Sequence, residues 1–140
     1  MAKSIPARNI RLKRAYERPA ASDRLRILVD RLWPRGLKKA SAAIDEWNKR
    51  IAPSPALRTW FGHDPERWAE FSRRYARELR DHTDELARLR TLARKGPITL
   101  VYGARDEALT HALVLKKALV GRAPKRKPAS RGPTGQAKRP

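Results

Sequence analysis

Short apolar runs bounded by turn residues predict the strands of this chain. Residues 10–16 nearly alternate apolar and basic side chains, which is typical of a half-buried strand. Residues 25–33 instead contain a continuous Ile-Leu-Val run, which indicates a central strand buried on both faces and ended by Pro34 and Gly36. Residues 98–102 show the clearest strand pattern of the chain. The pattern therefore predicts a small sheet of about three strands.

Apolar residues three and four positions apart predict helices between and after the strands. The strongest signal covers residues 64–79, where Asp-Pro-Glu forms a helix start and one apolar stripe follows. A further helix ends at the Lys-Gly-Pro stop of residues 95–97, and Asp106 is predicted to cap a last helix. Shorter helices are predicted over residues 41–51 and 55–61, because apolar residues recur at helical spacing in the first and Ser-Pro begins the second.

These elements predict a single α/β domain of two or three layers, in which helices pack on the small sheet. A chain of 140 residues suits one domain rather than two. We expect residues 1–7 to form a loose N-terminus and residues 8–120 to form the folded domain. Residues 121–140 are rich in Lys, Arg, Pro and Gly and have almost no apolar content, so we expect a disordered tail there.

The net charge of +20 predicts attraction to anions. Seven basic and no acidic residues follow position 120, while residues 1–120 hold 27 basic and 14 acidic residues, so the domain itself is basic. The tail has no aromatic residue for stacking on bases, so the alternatives are weak, non-specific nucleic-acid binding and a solvated tail. The tail residues that could contact phosphates are Lys125, Arg126, Lys127 and Arg131.

Several classes of chemistry lack their sequence signatures. The absence of cysteine excludes disulfides, thiolate zinc sites and a cysteine nucleophile, and it suits a reducing cytoplasm. The three histidines, His63, His82 and His111, do not have the spacing of a metal site. The chain has no GxxxxGK[ST] phosphate loop and no GxSxG nucleophile turn. It also has no signal-peptide pattern and no apolar run of transmembrane length, so we expect a cytoplasmic protein without metal, cofactor or membrane association.

The first candidate binding segment, residues 30–36, follows a buried strand. Ligands of open α/β sheets bind beyond the carboxyl ends of the strands. Arg31 and Arg35 could each hold a carboxylate or phosphate through two hydrogen bonds, and Asp30 could orient one of these arginines. Trp33 would then stand beside the ligand. The alternative is that Asp30 pairs with an arginine to fix the strand end and that Trp33 belongs to the core.

Two further candidate segments lie at predicted helix starts. His63 stands just before one helix, where it could act as a neutral base or donate to an anion, with Trp60 beside it. Tyr102 ends a strand, and the loop after it leads into a helix whose free backbone N–H groups could bind an anion. Arg105 adds positive charge there, whereas Asp106 would compete with an anion. The alternatives are core packing for the first segment and an ordinary βα turn for the second.

Four segments carry a resemblance to a known family. They are RILVDRLWPRG at 26–36, IAPSPALRTWFGHDPERW at 51–68, FSRRYAREL at 71–79 and GPITLVYGARDEALTHALVL at 96–115. Over most of residues 8–120 the chain resembles the YeaO-like family of uncharacterised bacterial proteins, which implies a compact α/β fold and a bacterial cytoplasmic setting without an established reaction. In that family a His-Asn pair usually follows Ala-Arg-Asp-Glu. Here Leu109 and Thr110 take those places and His111 follows, which weakens a catalytic role for this segment.

These observations lead to two functional hypotheses and leave a third open. In the first, a pocket at one sheet edge holds a small anion, phosphate or carboxylate, through Arg31, Arg35 and Arg105. If the protein is an enzyme, His63 or Tyr102 could transfer a proton. In the second, the basic surface and the tail bind nucleic acid without sequence specificity. The third is an interaction module that has no ligand.

Overall fold

A four-stranded parallel sheet lies at the centre of the structure, a computed structural model that describes residues 5–121. The strands are β1 (Ile10–Arg14), β2 (Leu25–Leu28), β3 (Glu46–Trp47) and β4 (Ile98–Tyr102), in the spatial order β1-β4-β2-β3. The helices are α1 (Lys39–Ala42), α2 (Pro55–Phe61), α3 (Trp68–Leu79), α4 (Thr83–Lys95) and α5 (His111–Val120). The predicted α/β class is confirmed, with one strand more than the sequence indicated. The expected tail, apart from Gly121, lies outside the described residues.

The central strand of the sheet is β4, whose five residues are all buried. It pairs with β1 along its whole length and with β2 over its first four residues, so that Ile98 stands opposite both Ile10 and Leu25. A parallel strand covered on both faces is mostly apolar, which explains Ile98, Leu100 and Val101. The one fully polar side chain, Thr99, is also buried, and its hydroxyl donates to the carbonyl of Asp23 at 2.8 Å. Because every pairing is parallel, the carboxyl ends of the strands meet at one edge of the sheet.

The helix predicted over residues 41–51 is wrong. The structure has only the short α1 there, which ends where Ala43 adopts a left-handed conformation with φ of 51°. The chain then pairs with the open edge of β2: the Asp45 N–H donates to the carbonyl of Arg26, and the Asp45 carboxylate accepts from the Arg26 N–H. The unpaired backbone groups along β2 require partners, and this requirement outweighs the helical spacing of the apolar residues.

Helix α5 packs on β1 and β4, and α3 packs against α5. The apolar stripe predicted for α3 is buried, and its Tyr75 hydroxyl donates to the carbonyl of Ile51 at 2.6 Å. Ile5, in the segment expected to be loose, is 3% exposed and packs in the same core. Among the helices that the structure describes, none has the length and hydrophobicity needed to cross a bilayer.

The loop between β4 and α5 differs from its prediction. Asp106 does not cap α5, because the helix begins five residues later, at His111. Thr110 is the capping residue, and its hydroxyl accepts from the N–H of Ala112. The Asp106 carboxylate instead accepts from the N–H of Ala108 and closes a turn within the loop. The longer loop leaves room for a cleft between the sheet edge and the start of α5.

Candidate functional site

A cleft lies at the carboxyl ends of β2 and β4, where the segments that follow the two strands run side by side. The Val29 N–H donates to the carbonyl of Val101, and the Gly103 N–H donates to the Asp30 carboxylate at 2.8 Å. A Cβ at position 103 would lie 3.0 Å from the same carboxylate oxygen, so glycine permits this close approach. The cleft therefore stands at the edge where open α/β sheets bind their ligands.

The inner part of the cleft has a volume of about 240 Å³. Asp30 and His111 line it, and both side chains are largely buried. Its other polar groups belong to residues on the loops and on α2, and its apolar walls come mainly from aromatic residues and prolines. The charged or ionisable residues that line it are Asp30, Arg31, Arg35, Arg58, His63 and His111, together with Tyr16.

Asp30 and His111 form a close pair of titratable groups. Burial lowers the pKa of His111, although the Asp30 carboxylate and the Val29 carbonyl oppose that effect. The ring nitrogen Nε2 lies 2.9 Å from the Val29 carbonyl, which can only accept, so this nitrogen carries the proton. Burial raises the pKa of Asp30, against the opposing effects of His111 and the Gly103 N–H. Asp30 Oδ1 lies 3.5 Å from His111 Nε2 and has no hydrogen-bond partner within residues 5–121.

The arginines around the cleft hold different positions. Arg31 is half buried and donates to the carbonyls of Pro53 and Ala52, so it also fixes the loop before α2. Arg35 is exposed, and its own carbonyl accepts from the Tyr16 hydroxyl at 2.8 Å. Arg58 projects from α2 and is exposed. Their guanidinium groups give one small cleft several hydrogen-bond donors.

A wider, open depression of about 780 Å³ adjoins the inner cleft. The two share Arg35 and His63, and the depression adds Arg14, Arg105 and Asp106. His63 is exposed and has a left-handed backbone with φ of 59°, which is uncommon for a residue with a side chain. The structure thus brings Arg31, Arg35 and Arg105 to adjoining cavities, with His63 on the boundary between them.

Three of the sequence-predicted site residues have other roles. Trp33 touches the inner cleft, but its indole N–H donates to the Leu37 carbonyl and its ring packs edge-on against Trp47 at 5.4 Å. Trp60 lines neither cavity, and it lies beneath the guanidinium groups of two exposed arginines of the helical layer, Arg67 and Arg74. Tyr102 is buried in the sheet, and burial raises the pKa of its hydroxyl.

The Asp30 side chain also departs from its expected role. It forms no ion pair with an arginine among the described residues, because its partners are the Gly103 N–H and the neighbouring His111. Arg58 is a functional candidate that the sequence did not indicate. His111 lies at the end of the third candidate segment, residues 102–111, but it was not predicted as a site residue, because the wrong cap at Asp106 hid its place at the start of α5. Arg58 has no signal of its own, because it reads as one more polar residue of a short helix.

No group of three or more metal-ligating side chains exists within residues 5–121. The described chain therefore offers no cluster of the kind that holds a structural or catalytic metal. The Asp30–His111 pair alone supplies at most two ligands, and His111 Nε2 is already committed to a backbone carbonyl. The chemistry available in the cleft is hydrogen bonding and charge, supplied by guanidinium, imidazole and carboxylate groups.

Comparison with known proteins identifies relatives over most of the chain. A family model described as the inactive DUF488-N3 subclade matches residues 9–135. The uncharacterized protein YeaO of Escherichia coli is 49% identical over 107 residues, which are 76% of this chain and 93% of the relative. The uncharacterized protein Rv3073c of Mycobacterium tuberculosis is 43% identical over 113 residues, or 81% of this chain and 95% of the relative. No solved structure matches the chain significantly. The chain therefore belongs to the YeaO-like family of uncharacterised bacterial proteins, whose family model describes an inactive DUF488-N3 subclade.

Proposed function

We propose that this protein binds a small anionic ligand, a carboxylate or a phosphate, in the cleft beyond β2 and β4. The bacterial cytoplasm is the setting that the family resemblance implies. The observation that carries the proposal is the convergence of Arg31, Arg35 and Arg58 on the cleft, with Arg105 in the adjoining depression. None of the four forms an ion pair within residues 5–121. All 14 acidic residues of the sequence lie in that range.

The lack of an ion pair does not by itself distinguish these arginines, because Arg77 and Arg80 on the helical layer also form none within residues 5–121. The distinguishing feature is that Arg31, Arg35 and Arg58 line one small cavity. Cationic groups gathered at one cavity raise the local concentration of anions. A ligand carboxylate or phosphate would supply the missing charge, and a guanidinium group can hold it through two hydrogen bonds.

Binding without catalysis is the better form of this proposal. The matching family model describes an inactive subclade. Of the two groups considered for proton transfer, Tyr102 is buried in the sheet and lines neither cavity, while His63 borders both. The cleft thus offers groups that hold an anion, and binding an anion with these groups requires no catalytic reaction.

A thermal-shift series tests this function on the full chain. Inorganic phosphate, phenyl phosphate, acetate and benzoate are added at pH 7 and constant ionic strength. A ligand at 100 times its Kd stabilises the folded state by about 2.7 kcal/mol, which is a clear rise in Tm. At least one anion should produce a saturable shift. If none of them changes Tm up to the solubility limit, the anion-binding proposal is wrong.

A matched pair of variants locates the site. Arg58→Ala removes an unpaired guanidinium from the cleft, and Arg77→Ala removes the same charge from the exposed face of α3. Loss of one charge-assisted hydrogen bond corresponds to roughly a tenfold to hundredfold weaker Kd. Arg58→Ala should show this loss and Arg77→Ala should not. Equal effects of the two variants would mean that net charge, and not the cleft, attracts the anion.

Non-specific nucleic-acid association is the second candidate function, and the net charge of +20 favours it. The tail residues Lys125, Arg126, Lys127 and Arg131 lie outside the described residues, so this hypothesis rests on the sequence. It requires binding to duplex DNA that falls steeply with salt and weakens when residues 121–140 are deleted. The absence of binding at low salt would exclude it.

A further inference from the structure

We infer that the cleft selects anions carried on a flat apolar ring, aromatic carboxylates or aryl phosphates, over bare inorganic or aliphatic anions. The inference rests on the proposed function, since it names the ligand class of the same site. Two features of the inner cleft, its walls and its mouth, point to a ring. A third, the buried carboxylate of Asp30, disfavours a bare anion deep in the cleft.

The walls of the inner cleft are apolar. Phe61 and Phe71 stack on each other with ring centroids 4.3 Å apart, and both border the cavity. Pro34 and Pro53 are buried and border it too, and Leu109 extends from the loop before α5. Phe61 and Phe71 are only 5% and 2% exposed, so the fold has already removed most of their surface from water. A ligand ring that enters between such walls leaves water itself and gains free energy in proportion to its own buried apolar area, which a phosphate or acetate ion lacks.

The mouth of the cleft carries the large apolar side chains that the fold leaves in water. Among the described residues these are Tyr16, 45% exposed, and Leu32, 59% exposed, and both border the inner cleft. Scattered exposed apolar residues need no explanation, but two beside one concave site indicate a surface that binds an apolar group. The ring of a ligand would bury part of both side chains.

The distribution of charge favours one orientation of the ligand. Asp30 is largely buried, while Arg35, Arg58 and His63 are exposed. An anionic group is attracted to the exposed cations and repelled by the buried carboxylate, so it stays at the mouth and the uncharged body of the ligand enters the cleft. A dry cavity of about 150 Å³ is known to hold benzene. The 240 Å³ of the inner cleft therefore has room for a ring with a substituent.

Calorimetric titration of the full chain with matched probes tests this selectivity. Benzoate is compared with acetate, phenyl phosphate with inorganic phosphate, and benzoate with the neutral benzamide, all at pH 7. Each aromatic anion should bind about tenfold or more tightly than its bare counterpart, because part of the ring becomes buried. Benzamide should bind at least about tenfold more weakly than benzoate, because it lacks the charge that the arginines hold.

Variants of the apolar surface separate this inference from the proposed function. Leu32→Ser and Leu109→Ala change an exposed and a half-buried loop residue, neither of which lies in a helix or strand. Both variants should bind benzoate and phenyl phosphate severalfold more weakly than wild type and bind inorganic phosphate with unchanged affinity. Arg58→Ala should bind all the anions more weakly.

Equal affinity for aromatic and bare anions would overturn the inference and leave the proposed function standing. Tighter aromatic binding that both loop variants retain would place the ring elsewhere and also overturn the inference. If no anion binds, the proposed function fails and the inference fails with it.

Discussion

Replacing Asp23 by alanine should remove a large part of the stability of this domain, because it would leave a buried charge without its counter-ion. Arg26 lies in β2, is 3% exposed, and places its guanidinium 2.7 Å from the Asp23 carboxylate. The same guanidinium donates to the carbonyls of Ala42 and Ala43, which are acceptors without a full charge. Asp23 also accepts from Lys13. The pair therefore joins β2, β1 and the segment that leads to β3.

The size of the effect follows from the burial of Arg26. Removing one partner of a buried ion pair costs roughly 3–5 kcal/mol, out of a total folding stability of about 5–15 kcal/mol. For a domain of this size the loss corresponds to a fall in Tm of roughly 10–25 °C. Replacing both residues, in Asp23→Ala with Arg26→Met, removes the buried charge as well, so the double variant should lose less than Asp23→Ala alone.

Urea unfolding followed by tryptophan fluorescence measures these differences at pH 7. Burial by itself would raise the pKa of Asp23, but the Ala20 N–H, Lys13 and Arg26 outweigh it and hold the pKa below its usual value. A lowered pKa contributes stability above the unfolded-state value of about 4, and that contribution is lost as the pH falls through the folded-state value. The cost of Asp23→Ala should therefore shrink in acid. A loss below about 1 kcal/mol at pH 7, or strictly additive single and double variants, would refute this reasoning.

Two further predictions concern the cleft itself. Burial raises the pKa of Asp30, so the stability that its bound proton contributes is full below about pH 4 and is lost as the pH rises through the folded-state pKa. The Asp30→Asn variant should therefore gain stability relative to wild type between about pH 4 and pH 7. A constant difference between the urea midpoints of the two proteins across that range would contradict this. Gly103→Ala places a Cβ 3.0 Å from the Asp30 carboxylate and forces the carboxylate to move. We expect the free energy of unfolding, measured by thermal unfolding, to fall by roughly 1–3 kcal/mol. An unchanged Tm would show that the carboxylate moves freely.

The parts of the fold that local sequence determines were predicted correctly. The short, β-branched pattern of β4 sits between a Gly-Pro stop and Gly103, and the stripe of α3 follows a complete helix start, so flanking residues support each pattern. The segment 41–51 has the spacing of a helix, but its conformation depends on the open edge of β2, which no local pattern reveals. Arg26 escaped notice for the same reason, since its counter-ion and carbonyl partners come from neighbouring turns.

The candidate site was predicted in outline and not in detail. Parallel strands place their ends together, so Asp30 and the loop after β4 could be expected to meet. The partner of Asp30 could not be foreseen, because His111 is 81 residues away along the chain and reaches the cleft only when Thr110 caps α5. Arg58 belongs to the site through the packing of α2 against α3, which no local sequence pattern reveals.

The most direct measurement is a crystal structure of the full chain grown with phenyl phosphate at a concentration that saturates binding in solution. The ring should lie in the inner cleft against Phe61 and Leu109, with the phosphate at the mouth within hydrogen-bond distance of Arg58 or Arg35. A cleft without ligand density, or a phosphate bound only at other basic surfaces, would contradict the central claim that this sheet edge is an anion-binding site.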